Sequence, residues 1–154
     1  MKHEKQSDDN KSRRSTDLNE INDYSEGFCP KMVEYLYDYI HSLGGSLFTR
    51  TDGGPSTTEW PCKKNHGGGH EPHPLVRLSL GPKAKAEGTN VLWDLIHEFG
   101  HVLQGPPEKK GRDPKRERDA WNLGWSYLIE RFPHLITYES EYFSHAEECL
   151  KGGN

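Results

Sequence analysis

An α+β fold follows from three features of this 154-residue sequence: recurrent helix-period apolar patterns, one clear period-two segment, and a Gly/Pro-rich stretch between them. Residues 1–23 hold eleven charged side chains against three apolar ones, Met1, Leu18 and Ile21. So little apolar surface does not offset the entropy of ordering, and a disordered charged tail is expected there. The organised domain is then a single unit spanning 24–154. Met32, Val33, Leu36, Tyr39, Ile40 and Leu43 follow the i, i+3, i+4, i+7 pattern of an amphipathic helix, stopped by Gly44-Gly45. Ser46 to Thr51 reads as a short strand. Asp52 to Pro74 has glycine clusters, prolines and little periodicity, and reads as loop. Leu75 to Leu80 alternates apolar and polar residues as a half-buried strand does, closed by Gly81-Pro82. A helix capped at Thr89 or Asn90 runs to Gln104 and stops at Gly105-Pro106-Pro107. Asp113 as N-cap with Pro114 behind it opens the next helix, which ends near Phe132-Pro133. A last short helix spans about Ser140 to Leu150.

Composition excludes several functional classes. Hydrophobic residues make up 31% and charged ones 29%, and no run approaches the ~18–20 apolar residues of a bilayer-spanning helix. Residues 1–23 lack the apolar core of a signal peptide. Three cysteines, Cys29, Cys62 and Cys149, are too few for a disulfide framework, and an odd number fits a reducing compartment. The expectation is a cytoplasmic protein. A net charge of -4 argues against a nucleic-acid or membrane partner.

One segment carries chemistry. His97-Glu98-Phe99-Gly100-His101 is an HExxH sequence. Leu92, Leu95, Ile96, Phe99 and Leu103 form an apolar stripe, and at about 100° per residue His97 and His101 leave the opposite face one turn apart. Two imidazoles so placed suit one metal ion, and Glu98 beside them suits a base acting on water. Tetrahedral Zn²⁺ needs a third protein ligand when its fourth place is left open. Gln104 and Pro107 occupy the positions where a metzincin carries glycine and a third histidine, which excludes that class. The remaining candidates are Glu117 and Asp119 on the following helix. Glu117 shares a face with Ala120, Trp121, Gly124 and Leu128, and small residues at Ala120 and Gly124 permit close approach to the motif helix. Asp119 points to another sector and has a shorter reach, so Glu117 is preferred.

HEFGH followed by Glu117-x-x-Ala120-Trp121 resembles the gluzincin metallopeptidases, in particular the small ImmA/IrrE-like proteins of bacteria and their phages. The likeness covers about residues 75–130. It implies a zincin-like α+β fold, in which the HExxH helix and a ligand-bearing second helix pack with a small β-sheet. It also implies zinc-dependent peptide-bond hydrolysis on a protein or peptide substrate. In that scheme His97, His101 and Glu117 hold Zn²⁺ and Glu98 is the general base. Tyr127, Tyr138, Tyr142 or a loop histidine would stabilise the oxyanion. The strand before the active helix, Leu75 to Leu80, would pair with extended substrate. The competing class is a non-catalytic, zinc-stabilised regulatory or interaction module on the same scaffold, which has no use for the base at Glu98.

Weaker signals have plainer explanations. Cys62, His66, His70 and His73 are ligand types in one loop, but they meet no common zinc-finger spacing. The basic run of Lys109, Lys110, Arg112, Lys115, Arg116 and Arg118 is interrupted by acids and reads as a solvated connector. Pro61-Cys62 lacks the second cysteine and the residue order of a zinc nucleobase deaminase. Trp93, Trp121 and Trp125 fall at helix–helix positions and are assigned to the core.

Overall fold

The computed structural model describes residues 2–64, 67, 69–81 and 88–152. The architecture is mixed α+β. In chain order the elements are α1 (Lys2–Tyr24), α2 (Pro30–Ser42), β1 (Ser46–Arg50), β2 (Thr57–Glu59), β3 (Cys62–Lys64), β4 (His70–Pro72) and β5 (Leu75–Ser79). They continue with α3 (Gly88–Gln104), α4 (Pro114–Arg131), a 3-10 turn (Pro133–Tyr138) and α5 (Glu139–Lys151). No helix among the described residues is long and apolar enough to cross a membrane.

The segment expected as a disordered tail is helical over Lys2–Tyr24, and the end of that helix packs. Leu18 and Ile21, three residues apart on one face, are buried in the common core. Its charges are also used. Arg14 forms a two-pronged ion pair with Asp38 of α2 at 2.9 Å, and buried Asp17 accepts from the Tyr37 hydroxyl at 3.0 Å. Charged composition misled because these partners lie at least 20 residues away in sequence.

The sheet has the order β1-β5-β2. β5 pairs parallel with β1, with Ser46 opposite Leu75, and antiparallel with β2, with Thr58 opposite Val76. Leu47, Val76 and Leu78 face the core, as period-two alternation requires. The strand assigned to substrate pairing is therefore central, with both edges occupied, and the edge strands are β1 and β2. The described part of 52–74 also holds more order than its composition suggests, since β3 and β4 form a separate two-stranded ribbon.

α3 is the axis of the molecule. The sequence indicates one apolar stripe, but Val91, Trp93 and Val102 are buried together with Leu92, Leu95, Ile96 and Phe99. The helix is covered by the sheet on one side and by α4 and α5 on others. Its closest partner is α4, where two glycines let the backbones meet. A Cβ on Gly100 would collide with the Ala120 carbonyl oxygen, and one on Gly124 with that of Ile96. α4 begins as its sequence indicates: the Asp113 carboxylate accepts from the Lys115 amide at 3.0 Å, with Pro114 at the first helical position. Trp121 and Trp125 are buried, and Tyr142 of α5 joins them by donating to the Trp121 carbonyl at 2.7 Å.

Candidate metal centre

α3 and α4 cross so that His97, Glu98, His101 and Glu117 meet in one cleft of about 950 Å³. Nε2 of His97 lies 3.2 Å from one Glu117 oxygen, and Nε2 of His101 lies 2.9 Å from the other. Asp119 is exposed and does not line the cleft. The two imidazole centroids are 4.7 Å apart, as one-turn spacing on a helix dictates.

Each imidazole is held by its surroundings. The His97 ring stacks on the Trp121 indole at 4.2 Å and 3° between planes. Its Nδ1 is 3.1 Å from Glu98 Oε2. Nδ1 of His101 pairs with Gln104 Oε1 at 2.8 Å, and the Gln104 amide nitrogen donates to the Arg116 carbonyl of α4 at 2.9 Å. A proton on each Nδ1 leaves both Nε2 lone pairs aimed inward, the tautomer that a metal-ligating histidine needs. Gln104 is the residue at which a metzincin carries glycine, and here it ties His101 to the helix bearing Glu117. Its role was not visible in the sequence, because it depends on where α4 crosses.

Glu98 is 3% exposed, and its carboxylate accepts from the Thr58 hydroxyl of β2 at 2.8 Å. Its oxygens also fall within metal-ligand range of the histidines. They engage His97 through Nδ1, the ring nitrogen away from the Nε2 that faces Glu117. Glu117 is thus the carboxylate that shares the two Nε2 atoms, and Glu98 stands beside that set.

A metal fits this arrangement on one specific observation. Buried His97 Nε2 has no hydrogen bond of acceptable direction, although a Glu117 oxygen is 3.2 Å away. A buried ring nitrogen without a partner is costly, and a cation shared with Glu117 and His101 would satisfy it. The donor set, two imidazoles and a carboxylate, is that of open catalytic zinc sites.

Without metal, protons take over the electrostatics. Burial favours neutral His97, but Glu117 and Glu98 outweigh it and push the imidazole up to about 9. Burial would raise Glu117, yet the two imidazoles hold it well below the usual carboxylate range. His97 lies above its ordinary value near 6.5, so its contribution to stability is full below about pH 6.5 and is lost as pH rises through about 9. Glu117 works in the opposite sense: its contribution is present above about pH 4.5 and is lost as pH falls through its depressed value. In chelator-stripped protein, the melting-temperature gap between wild type and His97→Gln should therefore be larger at pH 6 than at pH 9.5. A gap unchanged between those pH values would show that the carboxylates do not hold a proton on His97.

The other expected residues lie elsewhere. None of the three tyrosines lines the cleft. Tyr142 is fully buried against Trp121, and Tyr127 pairs with the Tyr35 hydroxyl at 2.7 Å. Tyr138 packs edge-on against Phe28. Those three residues are core-building aromatics, and none is placed to stabilise an oxyanion in this cleft. Cys62 and His70 are exposed on the ribbon, and His73 pairs with the Leu43 carbonyl at 3.1 Å. His66 lies outside the described residues. Arg118 of the basic run pairs with Glu147 of α5 at 2.6 Å, whereas Lys109, Lys110 and Arg112 are exposed. Comparison with known protein families, characterised proteins and solved structures finds no match to this chain.

Proposed function

We propose that this chain is a zincin-like, gluzincin-type zinc peptidase acting on a protein or peptide substrate, as its resemblance to the ImmA/IrrE-like proteins implies. The observation carrying this reading is the convergence of His97 Nε2, His101 Nε2 and Glu117, with a separately held carboxylate, Glu98, in the same cleft. His97, His101 and Glu117 would hold the ion. When bound, zinc supplies Lewis acidity that brings the pKa of a water towards ~7 and polarises a carbonyl. Glu98 accepts the proton of the attacking water on its carboxylate and delivers it to the departing amine. Thr58 and His97 fix the direction of that carboxylate beforehand, and Trp121 and Gln104 keep the imidazoles from rotating. β2, an edge strand beside Glu98, is the natural partner for an extended peptide, in place of the central β5.

Zinc content and cleavage of a diverse peptide library test this proposal. Wild type and Asp119→Ala should each bind zinc and cleave, with cleavage lost on chelation and restored by zinc. Glu117→Ala and the His97→Ala, His101→Ala double variant should lose tight zinc binding at this site together with cleavage. Cleavage that survives in the double variant overturns the assignment. Zinc-loaded wild type that cleaves nothing favours the interaction module instead.

A further inference from the structure

The cleft holds a second group of metal-ligating side chains that the peptidase chemistry does not use. Asp94 lies on α3, one turn before His97, while His145 and Cys149 lie one turn apart on α5. His145 Nε2 is 2.8 Å from Asp94 Oδ1 and 3.7 Å from Cys149 Sγ, and one donor atom from each of the three lies within 4.8 Å of the others. All three are partly buried and line the same cleft as His97 and Glu117.

We propose that Asp94, His145 and Cys149 form a second metal site, taking a thiolate-accepting divalent cation, zinc first among them, and pinning α5 to the motif helix. Tetrahedral bonds of about 2.0–2.3 Å place neighbouring ligand atoms roughly 3.3–3.8 Å apart, so the observed spacings close around an ion with small side-chain movements. A carboxylate–imidazole pair alone would account for Asp94 and His145. It does not account for a thiol brought to the same imidazole nitrogen at the i, i+4 spacing that also joins His97 to His101. Mixed sulfur, nitrogen and oxygen donors select zinc over magnesium or calcium, which favour oxygen alone. The two sites share a wall. The Trp121 face stacks on His97 at 4.2 Å, and its ring meets His145 edge-on at 5.7 Å.

This inference does not depend on the peptidase reading, and metal binding can separate the two. Wild type and the His97→Ala, His101→Ala double variant would be titrated with zinc and then with cobalt(II). Wild type should bind two ions per chain and the double variant one. The cobalt-loaded double variant should show a thiolate-to-cobalt charge-transfer absorption. Cys149→Ser, nearly isosteric, should remove that band and one ion, and His145→Gln should do the same while circular dichroism confirms folding. A double variant that binds no zinc at micromolar free ion, or a wild-type stoichiometry that Cys149→Ser leaves unchanged, overturns the second site. One ion in wild type, lost on Cys149→Ser but retained in the double variant, would instead establish the second site and remove the first.

Discussion

Glu98→Gln should lower peptide cleavage by about 10²–10⁴-fold while leaving zinc content at the His97 site unchanged. The substitution keeps the shape of the side chain: with its carbonyl oxygen turned to His97, its amide donates to the Thr58 hydroxyl, which lies 2.8 Å from the native carboxylate and also reaches the Glu98 backbone carbonyl. It removes only the basic oxygen, so water at the centre has no group to take its proton. Metal affinity should be spared because, in the proposed site, His97, His101 and Glu117 would supply the ligand atoms. Glu98 contacts His97 through Nδ1, and a glutamine carbonyl still accepts there. Paired measurements of zinc content and single-turnover cleavage check this. Equal cleavage by the two proteins would show that Glu98 is not the base, and loss of zinc from the Glu98→Gln variant would make Glu98 a ligand.

The second large effect is structural. Gly100→Ala drives a methyl well inside van der Waals contact with the Ala120 carbonyl oxygen, which is backbone and cannot rotate aside. Overpacking typically costs about 1–3 kcal/mol, and a clash with backbone belongs at the upper end. Alanine's better helix propensity returns only about 1 kcal/mol. Because α3 carries both histidines and α4 carries Glu117, the helices can separate only by widening the ligand set. Melting temperature should fall by several degrees and zinc affinity should drop with it. Gly81→Ala is the control, since among the described residues beyond its chain neighbours the nearest atom to its new methyl would be 4.0 Å away. Wild-type stability and zinc affinity in Gly100→Ala would show that the two helices do not touch as described.

What the sequence disclosed was local. The Asp113-Pro114 start of α4, the Gly44-Gly45 stop after α2 and the alternation of β5 rest on neighbours in the chain, and they appear where their patterns place them. The preference for Glu117 over Asp119 rests on helical geometry and on the small residues Ala120 and Gly124. Gly100 is the same device on the facing helix, which only the helix crossing reveals. What stayed hidden depends on distant partners. Asp17 waits for Tyr37, Thr58 meets Glu98 across 40 residues, and His145 meets Asp94 across 51. Nor does the alternation of β5 reveal that it is flanked on both sides, because a strand's period does not depend on how many neighbours it has. The tyrosines misled for a related reason: an aromatic that reads as a hydroxyl donor in sequence is here a packing element, and the hydroxyls of Tyr142 and Tyr127 are already committed.

Thr58 belongs to an edge strand and also holds the Glu98 carboxylate, so in the proposed peptidase docking and chemistry would share one residue. A chain that adds itself to β2 fixes the backbone from which that hydroxyl projects, and so steadies the base at the moment of engagement. Peptides too short to span Thr57–Glu59 forgo that steadying. For such truncated ligands the deficit would fall on turnover as well as on affinity, so that length is sensed by the catalytic step itself.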